Sequence, residues 1–266
     1  MKVFISIDLE GAAGYIGSGE GIHPPELMAA EANAAIAGAI DAGAEEVLVV
    51  EAHGSKRNII PAKIDPRARI LSGRPRSPEH MGGIDDTFDA VLFVGYHSKA
   101  GTLRGVMAHT YLGPVFSLRF NDIEVGEVGT DAAVAGYFGV PVVMISSDEA
   151  TCQEAKDLLG EIETVLVKRG ISRSAAVCIP PPKAYEMIRE GAARALKKKA
   201  NSISPFTIEP PVHVEVTFID PSYADTVCFL PFVERVDGRT VAYDAEDFLY
   251  AVKIFDGFRF LSTALR

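Results

Sequence analysis

The chain has 266 residues, 48% apolar and 23% charged, which is ordinary globular usage and excludes a disordered protein. Its 26 lysines and arginines against 36 aspartates and glutamates leave a net charge of −10, which speaks against a nucleic-acid partner or an anionic membrane surface. Three widely spaced cysteines, Cys152, Cys178 and Cys228, exclude a disulfide framework and suit a reducing compartment. At roughly 150 residues per domain the length allows one large domain or two modest ones. The opening MKVFISIDLE has no signal-peptide pattern, and no apolar run approaches the roughly 20 residues of a membrane helix. The expectation is a cytoplasmic protein.

The first half alternates strand and helix signals. VFISI (3–7) is a short β-branched run and predicts a buried strand. Residues 24–44 predict a helix opened by two prolines, with Met28, Ala32, Ile36 and Ile40 on one face and Gly43 to close it. Further strands are expected over 45–53, 88–97 and 140–149. Between the last two, Asn121-Asp122 predicts a hairpin turn within 115–129, followed by a helix over 130–138. This order predicts an α/β fold, a mostly parallel sheet with covering helices. The second half changes rhythm, with a helix over 179–199, a strand over 212–220, a hairpin turning at Asp237-Gly238, and a closing helix over 244–261 capped by Asp244. It reads as a smaller α+β C-terminal unit, with a boundary placed near residue 165.

Several polar residues fall where strands end. Asp8 and Glu10 lie two apart at the end of the first strand, so their carboxylates point the same way and repel unless a cation lies between them. His53 follows VLVVEA and His97 follows VLFVGY, each where a buried strand emerges at its carboxyl end, the edge at which open α/β sheets bind ligands. Imidazole and carboxylate without thiolate suit Zn²⁺, Mn²⁺ or Fe²⁺. Glu127 in VGEVG reads either as a further ligand or as a first-turn glutamate favoured by a helix N-terminus. His109 in RGVMAHT reads either as a loop histidine or as a proton-handling residue. His23 and His80 read as loop residues and His213 as structural; Glu51, Asp148 and Glu149 are secondary candidates.

Other motifs fail. Residues 11–21 are glycine-rich without G-x-G-x-x-G spacing, Gly54-Ser55-Lys56 is not a P-loop, and there is no G-x-S-x-G. Cys152 reads as a buried helical thiol, and Lys197-Lys198-Lys199 as a solvated helix C-terminus.

Taken together, SIDLEG (6–11), EAHGSK (51–56), GYHSKAGT (95–102), GVMAHT (105–110), residues 125–148 and ISRSAA (171–176) resemble the D-aminopeptidase family, first named as a dipeptide transport protein. The resemblance runs from residue 1 to about 190 and is loose in the closing segment. It implies a metal-dependent aminopeptidase with two zinc ions per subunit. Asp8 would bridge them, Glu10 and His53 would complete one ion's set, and His97 and Glu127 the other's. His109 would be the catalytic histidine and a short peptide the substrate. The resemblance also implies a homo-oligomer, a decamer with active sites facing an inner channel. Asp131, where the family carries an acidic or amide residue, receives no role.

Charge bookkeeping agrees with two ions, since three carboxylates and a bridging hydroxide balance two divalent cations. A competing reading is a two-metal phosphoesterase, with Lys56, Lys99 or Arg104 to clamp the anion. Two more are a non-catalytic peptide-binding protein, which would need export, and a metal-stabilised structural protein.

Overall fold

A computed structural model describes residues 1–19, 23–198 and 202–262. The last two residues of the glycine-rich run, Glu20 and Gly21, and Lys199 lie outside the described residues. In chain order the elements of the first half are β1 (Lys2–Ile7), α1 (Pro24–Asp41), β2 (Glu46–Glu51), β3 (Arg69–Leu71), β4 (Ala90–Val94), β5 (Val115–Phe120), β6 (Ile123–Val125), α2 (Glu127–Tyr137) and β7 (Val142–Asp148). There follow α3 (Glu149–Leu159), β8 (Glu163–Ser172), β9 (Ala175–Cys178), α4 (Pro181–Lys198), β10 (Val212–Phe218), α5 (Pro221–Val227), β11 (Glu234–Arg235), β12 (Thr240–Ala245) and α6 (Phe248–Ser262).

The expected parallel sheet is present. Seven strands run in the order β3-β2-β1-β4-β7-β8-β9, and all pairs but β8–β9 are parallel. The apolar, β-branched sequences of β1, β4 and β7 follow from burial on both faces. On one face α1 and α4 pack against Ile5, Ile7, Val49 and Leu92. Their close approach needs Gly38, where a Cβ would lie 2.3 Å from the Arg189 carbonyl oxygen.

The opposite face, through Phe4, Val91 and Phe93, joins α2, α6 and a second sheet in one core. That sheet is antiparallel, in the order β11-β12-β10-β5-β6. The sheets do not separate at residue 165, which lies inside β8. The hairpin before it pairs with β10, while β8, β9 and α4 after it belong to the first sheet. Alternation along β5 and β6 gives a hairpin but no information on which sheet takes it, and that choice is made by the apolar face it offers to β10 and α6.

Both expected hairpin turns form. Asp247, not Asp244, caps α6: its Oδ1 accepts the Tyr250 N–H at 2.8 Å. β12 continues to Ala245, so Asp244 stays in the sheet and accepts from His213 Nδ1 across the β10–β12 pair at 2.7 Å. Helix α2 begins three residues earlier than expected, at Glu127, directly after Gly126, which lies against Lys99 where a Cβ would meet the Lys99 Cβ at 2.7 Å. No described helix is long and apolar enough to cross a membrane.

Candidate metal centre

β1 sits between β2 and β4, so its carboxyl end lies where the strand order reverses, the place where α/β sheets bind ligands. Asp8 and Glu10 leave the end of β1, His53 that of β2, and His97 that of β4. Two glycines let the β1 and β4 ends close on one another. Gly11 donates to the Gly95 carbonyl at 2.7 Å, and a Cβ on Gly11 would lie 1.9 Å from the Tyr96 oxygen. Gly95 has φ +68°, and a Cβ there would lie 2.3 Å from the Asp8 oxygen.

The loop from His97 to Tyr111 carries His109 and returns to the same place. Arg104, Met107 and Tyr111 hold φ of 60°, 57° and 57°, the left-handed region that non-glycine residues occupy only under constraint. The constraint is visible. Asp148 accepts the Val106 N–H at 2.9 Å, Arg173 of the β8–β9 turn accepts from Met107 N at 2.8 Å, and Glu127 accepts from Tyr111 N at 2.7 Å. The ISRSAA segment is thus a brace for the His109 loop.

These segments meet around a cavity of about 90 Å³ lined by Asp8, Glu10, His53, Lys56, His80, His97, His109, Tyr111 and Glu127. His97 Nε2 lies 3.5 Å from Asp8 Oδ2 and 3.2 Å from Glu127 Oε1. His53 Nε2 lies 3.5 Å from Glu10 Oε1, and His109 Nε2 3.8 Å from Glu127 Oε1. The His97 and His109 rings stack with centroids 3.9 Å apart. Ligand atoms of Asp8, Glu10 and His97 lie within 4.8 Å of one another, as do those of His97, His109 and Glu127. His53 stands beside the first group through Glu10. Glu127 is both a first-turn residue of α2 and a member of the cluster, so the two sequence readings describe one residue.

The donor set fits divalent metal. Asp8 Oδ2, Glu10 Oε2 and His97 Nε2 are buried without a hydrogen-bond partner, an arrangement costly unless a cation receives their lone pairs. His97 Nδ1 donates to the Ser98 carbonyl at 3.0 Å and His109 Nδ1 to Met107 at 2.9 Å, which leaves both Nε2 lone pairs facing the cavity. This is the outer arrangement that orients metal-bound imidazoles.

The electrostatics agree. Burial drives the Asp8 carboxyl well above the usual carboxylate range, and the charges of Glu10 and Glu127 push the same way. Burial would raise Glu10 and Glu127 too, but His53 and His97 hold the former low, and His97 and His80 hold the latter well below that range. Against its own burial, His97 is raised well above the usual imidazole range by Glu127 and Asp8. His109 moves the other way, lowered by burial and by the charge of His97. Without a cation the cluster is a set of protons shared among groups that a metal would deprotonate together.

His80 was expected to be a plain loop residue. It does lie on a loop, but buried beside the cavity, with Nδ1 3.1 Å from Asp131 Oδ2 and 3.4 Å from Glu127 Oε2. Asp131 also accepts from Tyr96 and Tyr111 at 2.8 and 2.9 Å. No local pattern in SPEHM signals this, since the contact spans 51 residues. Of the expected anion clamps only Lys56 lines the cavity; Lys99 pairs with Glu124 at 3.3 Å and Arg104 is exposed. Glu51 and Asp148 are occupied by backbone, accepting from Asn58 N and Thr151 N, and Glu149 is exposed. His23 lies away from the cluster and His213 is exposed on β10. Cys152 is buried on α3, its thiol pushed up to about 12 by burial.

The D-aminopeptidase family model matches residues 1–257. The chain belongs to the D-aminopeptidase family. It is 36% identical over 259 residues to the D-aminopeptidase of Bacillus subtilis (strain 168), covering 94% of each chain. It also matches the solved structure of the Zn-dependent D-aminopeptidase DppA from Bacillus subtilis, a self-compartmentalizing protease, with a TM-score of 0.95 and 34% identity over 99% of this chain and 98% of that one. This family member is a metal-dependent aminopeptidase, and the cavity at the strand ends is where its donor atoms converge.

Proposed function

We propose that the chain removes the N-terminal residue from short peptides of D-amino acids, using two zinc ions at this cavity. Asp8, Glu10, His53, His97 and Glu127 would hold them. The observation that carries this reading is the convergence of partnerless buried polar atoms on Asp8, Glu10 and His97 from two strand ends, with His53 Nε2 beside Glu10 from a third. Three carboxylates and a hydroxide neutralise two divalent ions, whereas one ion leaves buried negative charge. Zinc is favoured by the imidazole and carboxylate donors and by the zinc dependence of the solved relative. Bound zinc would supply a more acidic water and a polarised carbonyl.

His109 handles the proton. Its Nδ1–H is held by the Met107 carbonyl, so Nε2 carries the lone pair toward the cavity. Burial lowers its pKa, and it stays partly exposed where a substrate would enter. It takes the proton as water adds to the carbonyl and returns it to the departing amine.

A closed homo-oligomer, a decamer by family resemblance, would set these sites on an inner channel. The self-compartmentalizing relative supports it, as do Leu103 and Ile171, exposed apolar residues around one hollow on the His109 loop. A cytoplasmic setting fits the three free thiols.

Metal analysis of the purified protein should find two zinc ions per chain, and chelation should abolish hydrolysis of a D-aminoacyl amide until zinc is restored. His109→Ala should lower kcat by about 10²–10⁴ with zinc content unchanged. Full turnover in that variant, or a single zinc with full activity, would sink the assignment. Parallel L- and D-amides decide the stereochemistry.

A further inference from the structure

The structure buries two lysines near the cavity, Lys56 and Lys168, both at most 2% exposed. An ammonium has three N–H groups and no acceptor. Lys168 on β8 uses all three on backbone carbonyls, those of Glu10, Ala12 and Tyr15. It is saturated and has nothing left to offer. Lys56 is different. Its Nζ donates to the Ala52 carbonyl and to His80 Nε2 at 2.9 Å, both neutral acceptors. Among the described residues it has no ion-pair partner. One N–H remains, and the residue lines the cavity with Asp8, Glu10, Glu127 and His109.

The way Lys56 is held fixes its direction. His80 Nε2 accepts from the ammonium, so the ring proton is on Nδ1 and goes to Asp131 Oδ2 at 3.1 Å. Asp131 receives the hydroxyls of Tyr96 and Tyr111 as well. Asp131, His80 and Lys56 thus form a buried carboxylate–imidazole–ammonium row that ends at the cavity. Lys56 itself sits at φ +59°, a backbone conformation that a non-glycine residue keeps only where its surroundings impose it. No close ion pair offsets the burial of the Lys56 ammonium, which only the more distant carboxylates of Glu79, Asp8 and Glu127 attract, and a structural role would be served by the saturated arrangement seen at Lys168.

We infer that Lys56 is a catalytic residue whose free N–H meets the carbonyl oxygen of the scissile amide and stabilises the negative charge that develops there. This rests on the aminopeptidase reading of the cavity. As water adds, a bond forms from its oxygen to the carbonyl carbon and the π pair moves onto the carbonyl oxygen, facing the ammonium. When that pair returns, the C–N bond breaks and the amine leaves with the proton that His109 took from the water. Lys56 transfers no proton; it lowers the barrier by a preorganised charge. Asp131 and His80 are positioning residues that act through it.

The test uses the zinc-loaded protein, a D-aminoacyl amide as substrate, and a phosphinic dipeptide analogue whose P–O⁻ mimics the charged oxygen. Lys56→Met should lower kcat by about 10²–10³ with KM changed little, the loss typical of a removed oxyanion donor. The Ki of the phosphinate should rise in parallel, while zinc content and the Ki of the free amino acid product stay as in wild type. Lys56→Gln, which keeps a neutral donor and a polar end for His80, should fall between the two. The inference is overturned if Lys56→Met keeps kcat within about threefold of wild type, or if kcat falls while the phosphinate binds as before. It is also overturned if the loss in both variants tracks lost zinc. If the wild-type protein itself does not hydrolyse the amide, the aminopeptidase reading falls and takes this inference with it. If the wild type works and Lys56→Met works equally well, only the role of Lys56 is lost.

Discussion

Two loops bring the site together, and they differ in how much backbone strain they carry. The loop after β1, residues 8–15, is fastened by side chains that satisfy its backbone. Lys168 takes three of its carbonyls, and Glu31 of α1 accepts the Ala13 N–H at 2.7 Å. The loop from His97 to Tyr111 instead keeps three non-glycine residues in left-handed conformations under constraint from its neighbours. The first loop carries Asp8 and Glu10, which lie past the end of β1 with Glu10 in a turn, so the fastened loop and not an extended strand sets their relative placement. The second must turn back to set His109 beside His97 and accepts local strain for it. If this contrast is right, the first loop should break when its fastenings are removed, and the second should tolerate or even welcome relief of strain.

The largest effect is expected at Lys168. Lys168→Met leaves the carbonyl oxygens of Glu10 and Tyr15 without their Lys168 donor, each costing about 1–3 kcal/mol, while the Ala12 oxygen keeps the Tyr15 N–H at 3.1 Å. A fall in unfolding free energy of several kcal/mol by urea titration, with weakened zinc retention, is the expected outcome; loss of less than about 1 kcal/mol would mean that the clamp is dispensable. Next comes Gly11→Ala. Its Cβ would overlap the Tyr96 oxygen and lie 2.6 Å from the Gly95 carbonyl carbon, so β1 and β4 must part. Destabilisation of about 1–3 kcal/mol or more is expected, with reduced zinc content.

Glu31 sharpens the comparison through pH. Burial pushes its carboxyl up to about 7 from an ordinary 4.5, so the folded protein holds this proton more tightly than the unfolded chain. The stability it contributes is present in full below pH 4.5 and is lost as pH rises toward 7. Glu31→Gln removes that dependence and keeps an acceptor for Ala13. The variant should gain on wild type by roughly 1–3 kcal/mol between pH 5 and pH 8. A constant difference across that range would place the Glu31 carboxyl at its ordinary value. The smallest effect belongs to the strained loop. Arg104→Gly relieves a left-handed residue at an exposed position, offset by the entropy of glycine in the unfolded chain, for a net gain of about 0.5 kcal/mol. A loss of 1 kcal/mol or more would show that the arginine side chain, and not the backbone, governs this turn.

The fold class was legible because burial writes itself into composition. Parallel strands covered on both faces must be continuous apolar runs, and VFISI, VLVV, AVLFV and VVMIS are such runs. The strand ends carried the functional signal for the same reason, since Asp8, Glu10, His53 and His97 each interrupt apolar chain where the sheet stops. The six-residue alternation of β5 could not say which sheet it would join, and the capping aspartate of α6 was misplaced by three residues because Asp244 had a cross-strand partner in His213.

The amino-acid order by itself determined the central strands and the main helices, their parallel arrangement and four of the polar groups at the sheet edge, because each of these depends on residues close in the chain; β8 and β9, at the far side of the same sheet, were not legible. Tertiary structure alone decided that Glu127 and His109 meet His97, that His80 and Asp131 stand behind Lys56, and that Lys168 locks the first loop. Those contacts join segments separated by as many as 158 residues, and only closure of the strand ends, permitted by Gly11 and Gly95, brings them within reach.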